Sequence, residues 1–280
     1  MKQVILITGC SSGIGLCLAE NLHTLGHRVF ATARKPDDVA RLAARGMESL
    51  HLDLDDPASI HAAVDEVVRR TQGRIDVLIN NGAYGQPGAV EDLRREVLRA
   101  QFETNLFGTA ELINRVIPLM RAQQHGRIIN IGSLLGFVAL PYRGAYNATK
   151  YALEGLTDTL RLELADTGIF VSLIEPGPIK SKFRANGFVV YRKNIDAAHS
   201  AHRERYAALE RRLAKPGPAA PFTLPPEAVL CKVLRALASR RPRARYYVTF
   251  PSYLFAVLRR LLPTRALDWI LSRISRGEMR

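Results

Sequence analysis

Apolar and polar positions along the first 180 residues fall into alternating blocks of two kinds. Short runs such as QVILIT, HRVFATAR, ESLHLDL, RIDVLIN, GRIINIGS and IFVSLIEPG are rich in β-branched residues and mostly lack a polar face, which predicts strands covered on both sides. Between them lie stretches with apolar residues three and four apart: GIGLCLAENLHTLG, VARLAARG, DDPASIHAAVDEVVRRTQG and TKYALEGLTDTLRLELADTG. That spacing predicts helices. Asp37 and Asp38 suit the start of the second helix, and Pro57 and Gly73 bracket the third. A long helical tract runs from about Glu91 to Gln124 and is expected to be interrupted at Pro118.

Strands alternating with helices, none with a wet face, predict an α/β protein with a doubly wound, Rossmann-type parallel sheet in a single domain. The rhythm breaks after residue 180. Residues 177–226 are rich in Pro, Gly and charge, hold one basic amphipathic helix around AHRERYAALERRLA, and read as a mobile segment over the mouth of the site. EAVLCKVLRALASRR returns to a helix and RYYVTF to a seventh strand. The closing SYLFAVLRRLLPTRALDWILSRI is apolar but broken by Arg259, Arg260 and Pro263, too interrupted to span a bilayer. The chain therefore divides into a core with this alternating rhythm, 1–180, and an extension of the same domain, 181–280, that reads as a cover over the mouth of the site.

Composition changes this picture in two places. The net charge of +14 suggests nucleic acid until it is divided: residues 1–180 hold 19 Lys+Arg against 20 Asp+Glu, whereas residues 181–280 hold 21 against 6. The basicity belongs to the extension, where no nucleic-acid motif accompanies it. Arg240, Arg241, Arg243 and Arg245, followed by SYLFAVLRRLLP, form either a basic apolar face resting on a membrane or a helical cover for the substrate pocket with solvated arginines. Cys10, Cys17 and Cys231 have neither paired nor metal-ligand spacing, and no His/Cys/Asp cluster has zinc spacing, so no metal is expected. The start, MKQVILITGC, reads as a strand and not a signal peptide, and with the cysteines it predicts a cytoplasmic protein.

Candidate chemistry sits where the strands end. TGCSSGIG, Thr8 to Gly15, follows the first strand and opens a helix, with Gly9, Gly13 and Gly15 spaced G-x-x-x-G-x-G. Such a turn lets backbone approach a pyrophosphate at a helix N-terminus, with Ser11 and Ser12 as further donors and Ile14 between the glycines. About twenty positions on, a carboxylate would select NAD. Here Ala33 stands instead, followed by Arg34 and Lys35, a cation pair suited to the 2′-phosphate of NADP. Asp53 and Leu54 after the third strand share that edge and suit the adenine, although Asp53 equally suits a cap for the next helix. NNGAYG, with Asn80 and Gly82, follows the fourth strand at the same edge.

Ser133 ends the fifth strand thirteen residues before Tyr146, and Lys150 lies one helical turn beyond Tyr146 on the same face. Tyr-x-x-x-Lys by itself decides nothing, since the chain has nine Tyr. Asn105 in QFETNLFG is poorly suited to a helix interior and is expected to hydrogen-bond across the fold.

TGCSSGIG, NNGA, Asn105, Ser133, YNATK and EPGPIKS, in this order across residues 1–181, resemble the short-chain dehydrogenase/reductases. The likeness is to the NADP-linked branch with retinol and hydroxysteroid dehydrogenases and bacterial aldehyde reductases. The resemblance implies an NADP(H)-dependent oxidoreductase acting on an apolar aldehyde, ketone or alcohol. It implies Tyr146 as proton donor or acceptor, and Lys150 as the cation that holds the nicotinamide ribose and lowers the Tyr146 pKa. Ser133 would orient the substrate oxygen, and Asn105 would anchor a water leading to Lys150. Pro176, Gly177 and Ile179 would line the nicotinamide, with Ser181 in the place of the usual threonine. Homo-oligomers through the two long helices are implied as well. Asn80-Asn81-Gly82-Ala83 inverts the family's N-N-A-G, and the last hundred residues carry no transferable motif. A non-enzymatic NADP-binding sensor of the same fold stays open as the alternative.

Overall fold

The computed structural model describes residues 2–218 and 220–278. Seven parallel strands form one sheet in the order β3-β2-β1-β4-β5-β6-β7. They are β1 Val4–Ile7, β2 Arg28–Ala33, β3 Glu48–His51, β4 Val77–Asn80, β5 Gly126–Ile131, β6 Ile169–Glu175 and β7 Arg245–Tyr247. Alternation in β1 sends Ile5 and Ile7 to one core, with Leu18 and Leu22 of α1 (Gly13–Thr24) and Val229 and Val233 of α9 (Glu227–Ala238). Val4 and Leu6 face the other core, with Val64 of α3 (Pro57–Thr71), Leu112 and Val116 of α5 (Gly108–Gln123) and Leu160 of α6 (Gly144–Glu163). The strand order reverses between β1 and β4, which opens a crevice at the strands' carboxyl ends.

The predicted elements of the first 180 residues form, with one displaced break. α5 runs through Pro118 without interruption, so a missing N–H there is tolerated within a helix packed on the core. The break lies instead at Glu103–Phe107, a five-residue π-helical turn between α4 (Arg95–Phe102) and α5. Asn105 sits in that turn, wholly buried, and its amide holds the loop after β4: Oδ1 accepts from Tyr84 N at 3.1 Å and Nδ2 donates to Tyr84 O at 2.9 Å. Such bulges are a known place for a side chain withdrawn from helix bonding.

The segment 177–226, expected to be mobile with one helix, holds more regular structure than that among its described residues. It forms two helices where one was predicted, α7 Phe183–Asn194 and α8 Arg203–Ala214. Tyr191, Tyr206, Leu209 and Leu213 give the pair its own apolar core with Ala89 and Ile195. The Tyr206 hydroxyl accepts from Ala89 N at 2.9 Å and donates to Asp92, which ties the pair to the loop after β4. The apolar tail bends at Pro263 into α10 (Phe250–Leu261) and α11 (Thr264–Glu278). Among the described residues no helix is long and apolar enough to cross a membrane.

Candidate functional site

The glycine-rich turn is locked from outside. Gly9 has φ +71°, and a Cβ there would stand 2.7 Å from Gly82 Cα. A Cβ on Gly15 would lie 2.3 Å from the Gly9 carbonyl oxygen, so only glycine lets α1 start this close to its own strand. Asn81 clamps the turn, its Nδ2 donating to Thr8 O at 2.9 Å and Gly9 O at 3.1 Å. The Thr8 hydroxyl in return accepts from the backbone N–H of Asn81 and of Gly82. Asn81, not Asn80, therefore faces the turn. Asn80 is the last residue of β4 and points into the core, bonding Asn130 at 2.8 Å.

Ser12 caps α1 by position but not by a side-chain hydrogen bond, which leaves the first-turn N–H groups to a ligand. Ser11, Ser12, Gly13 and Ile14 line a cavity of about 850 Å³. A positive dipole end and uncapped donors on a cavity wall fit a dinucleotide pyrophosphate. Arg34 and Lys35 follow β2 directly, are exposed, and enter no ion pair among the described residues. The sequence reading passed over Arg41, whose Nη2 donates to Ser11 O at 2.8 Å while pairing with Asp38 at 2.7 Å. Asp53 is not the cap of α3: Asp56 is, accepting from Ala58 N at 2.9 Å. Asp53 instead closes a turn by accepting from Asp55 N, beside the buried Leu54. Arg34, Lys35, Asp53, Leu54, Asn80, Gly82 and Gly15 lie outside the cavity wall, although Gly82 and Gly15 touch its turn.

The remaining wall comes from the other half of the sheet. Ser133, Tyr146 and Lys150 line the same cavity, and so do Pro176, Gly177, Ile179 and Ser181 from the segment after β6. Lys150 is buried, and its Nζ donates to Ile131 O, the end of β5, at 2.7 Å. Burial pulls its ammonium down to about 8, against the pull of Glu154 one turn further along α6. Its Nζ stands 5.8 Å from the centre of the Tyr146 ring. Tyr146 is half-buried, edge-on to Phe183 at 5.1 Å, and its dense surroundings push the phenol up to about 12. The direction is opposite to the lowering expected from Lys150, and its cause is burial of the phenol. The group that favours the phenolate is the Ser133 hydroxyl.

Asn105 stands behind the wall and reaches α6 through Thr149 Oγ1, 3.2 Å from its Nδ2. Its side chain positions the Tyr84 loop and the helix that carries Tyr146; its amide nitrogen contacts those partners and not Lys150. Phe183 was also missed in the sequence, since the helix bearing it was not predicted. Among the described residues no cluster of His, Cys, Asp and Glu could hold a metal ion.

The short chain dehydrogenase family matches residues 3–188. Over 271 residues the chain is 42% identical to "Uncharacterized oxidoreductase YbbO" of Escherichia coli strain K12, spanning 97% of this chain and 94% of that protein. It is 32% identical over 277 residues to the NADPH-dependent 3-dehydrocapnine reductase of Ornithobacterium rhinotracheale, spanning 95% and 94%. The crystal structure of a short-chain dehydrogenase from Streptomyces avermitilis superposes with a TM-score of 0.75 at 29% identity, covering 99% of each chain. With the family matched across the sheet core through β6, the strand end that carries Ser133 and the helix that carries Tyr146 and Lys150, the chain belongs to the short-chain dehydrogenase/reductases, oxidoreductases that work between CH–OH and C=O groups.

Proposed function

We propose that the chain is an NADP(H)-dependent oxidoreductase that reduces an apolar aldehyde or ketone, or oxidises the corresponding alcohol. One observation carries the reading: the uncapped start of α1 and the Ser133–Tyr146–Lys150 set stand on the walls of a single cavity that is lined elsewhere by many apolar side chains. The cofactor, when bound, supplies or accepts hydride. Gly9, Ser11, Ser12, Gly13, Ile14 and Gly15 would hold its pyrophosphate, and Arg34 and Lys35 its 2′-phosphate. Asp53, Leu54 and Gly82 would shape the adenosine side, with Asn80 supporting that strand end from the core, and Pro176, Gly177, Ile179 and Ser181 the nicotinamide side.

The protein's own part is proton transfer and orientation. Ser133 and Tyr146 donate hydrogen bonds to the carbonyl oxygen, which places the substrate and polarises it. Tyr146 then delivers its proton to the forming alkoxide. A phenol held near 12 keeps its proton at neutral pH, as an acid for carbonyl reduction must. Lys150, still mostly charged at neutral pH, contributes positive potential beside the site. Residues 1–180 serve as the cofactor and chemistry core and 181–280 as the substrate cover.

The NADP preference rests on Arg34 and Lys35 and accords with the name of the related capnine enzyme. NADPH consumption over aldehydes and ketones of graded chain length, repeated with NADH, tests the whole reading. NADPH is expected to be preferred, and Arg34→Asp to cut that preference by roughly 10- to 100-fold, the worth of charge-assisted bonds to a phosphate. NADPH binding without turnover anywhere in the series would leave only the sensor reading.

Two partner proposals follow from exposed apolar side chains. Val257 of α10 and Trp269 of α11 lie open, with Arg259 and Arg260 on the first helix and Arg273 against the Trp269 ring on the second, a face suited to peripheral contact with an anionic bilayer. Leu98, Phe107 and Leu162 are open on α4, the π turn and α6, a surface suited to a second copy of the chain. Sedimentation reads both: a dimer or larger is expected in buffer, and pelleting with anionic but not neutral vesicles at low salt. A monomer rejects the second proposal, and equal recovery with both vesicle types rejects the first. The free Cys10, Cys17 and Cys231 suit a reducing, cytoplasmic setting.

A further inference from the structure

The charges on the cavity wall are lopsided. Arg143, Lys150, Lys180, Arg184 and Arg212 line it, and Glu278 is the one carboxylate among the described residues that does. Lys150 and Lys180 belong to the end near Tyr146 and the segment after β6. The three arginines belong to the substrate side, contributed by three different elements: Arg143 at the start of α6, Arg184 on α7 and Arg212 on α8.

These arginines meet in a partly dry place. Arg212 and Glu278 each have only 13% of their side chain accessible, and Arg143 has 21%. One oxygen, Glu278 Oε2, pairs with both Arg143 Nη2 and Arg212 Nη2, the latter at 3.0 Å. Arg212 Nε is buried with no hydrogen-bond partner among the described residues. Arg184 donates to the carbonyl oxygens of Lys215 and Gly217 and has no carboxylate partner among the described residues. A buried guanidinium with an unused donor is costly, and a perturbed charged group on a cavity wall marks a candidate ligand site. Burial and the neighbouring arginines pull the Arg212 pKa down to about 10, the behaviour of a cation short of counter-charge. Apolar surface fills the rest of this side, including Leu209, Leu213, Leu254, Leu271 and Ile274.

We propose that Arg143, Arg184 and Arg212 form an anion subsite, so that the substrate is an amphiphile whose apolar chain carries a carboxylate or phosphate as well as the reacting carbonyl or alcohol. Glu278, at the end of α11, occupies that subsite as an internal stand-in and is displaced when the anionic group arrives. The surplus of cations makes the exchange favourable, since among the described residues the three arginines have no carboxylate at the cavity other than Glu278. The inference rests on the proposed oxidoreductase reading only in taking this cavity as the substrate's; the binding itself needs no turnover.

The test uses the full chain with dodecanoate and dodecyl phosphate as anionic probes and dodecanol as the neutral one, measured by calorimetry. At least one anionic probe is expected to bind at least 10-fold tighter than dodecanol, and the better of the two identifies the headgroup chemistry. Arg212→Met is expected to bring the ratio of anionic to neutral affinity down by about 10-fold or more, and Glu278→Gln to raise it. Because Arg212 is mostly buried and ion-paired, Arg184→Gln, at a half-buried residue with no carboxylate partner among the described residues, serves as a second variant, expected to lower the same ratio by severalfold with an unaltered melting curve. Dodecanol binding as tightly as both anions, or a ratio that Arg184→Gln and Glu278→Gln leave unmoved, overturns the subsite. Comparing 12-oxododecanoate with dodecanal as NADPH substrates separates the two readings. Turnover of both without preference for the acid sinks the subsite and spares the enzyme; anion binding with no turnover of either does the reverse.

Discussion

Tyr146→Phe is expected to lower kcat for carbonyl reduction by roughly 10³-fold, within the range of 10²- to 10⁴-fold that a positioned general acid contributes. The substitution removes one oxygen and little else. The ring keeps its edge-on contact with Phe183 at 5.1 Å, and the helix keeps the Thr149 hydroxyl bond to the residue 146 carbonyl. Ser133 remains to orient the substrate oxygen, but its hydroxyl already accepts from Leu135 N at 3.1 Å and has no base behind it to resupply a proton. The loss should fall on kcat more than on KM, because the proton is needed only as the alkoxide forms. Single-turnover reduction with NADPH measures it, and retention of more than a tenth of the wild-type rate would remove Tyr146 as the acid.

The largest effect on stability is expected from Arg245→Met. Arg245 of β7 holds three carboxylates: Glu154 at 3.0 Å, Asp158 at 2.6 Å and Glu175 at 3.2 Å. Glu175, the last residue of β6, has no accessible surface, and burial followed by Glu154 pushes its pKa up to about 8 despite the arginine. At neutral pH it keeps its proton. Arg161 still pairs with Asp158 at 2.9 Å, but removing Arg245 takes the ion-pairing cation from Glu154 and Glu175, at a cost of about 3 kcal/mol at pH 8.

The pH dependence has a definite sign. A carboxyl whose folded pKa exceeds its unfolded value binds protons more tightly when folded. Its most favourable contribution therefore lies below the unfolded value near 4.5 and is lost as pH rises to about 8. Without Arg245 that alkaline loss grows, because Glu154 and Glu175 then resist ionisation further. Urea unfolding should show an Arg245→Met deficit at pH 8 that shrinks by half or more at pH 5. A deficit of equal size at both pH values would mean that Arg245 stabilises by packing alone. Glu175→Gln should flatten the wild-type decline between these pH values, since it removes the group that titrates.

Much of the core was legible because its signals are local. Buried parallel strands leave continuous apolar runs, and glycines at 9 and 15 mark a turn that admits no Cβ; both are written in neighbouring residues. The Tyr146–Lys150 spacing was legible for the same reason, since one helical turn fixes which residues share a face. Where the ammonium points was not: Lys150 finds the Ile131 carbonyl nineteen residues earlier in the chain, and that contact exists only once β5 and α6 pack together. Asn80 and Asn81 are chemically identical, and only the strand's alternation at the edge of the sheet turns one into the core and the other onto the glycine turn.

The extension shows the division most sharply. Its composition announced basic and apolar surface but hid α7, whose weak amphipathic pattern forms a helix by packing Tyr191 against Tyr206 and Leu209 of α8. The meeting of Arg143, Arg184, Arg212 and Glu278 spans more than 130 positions and has no signature in any window of sequence. Short-range order, set by backbone sterics and side-chain periodicity, thus came from the residues themselves. Which distant charges share one dry wall was decided by the fold, because electrostatic partners are chosen by distance in space and not along the chain.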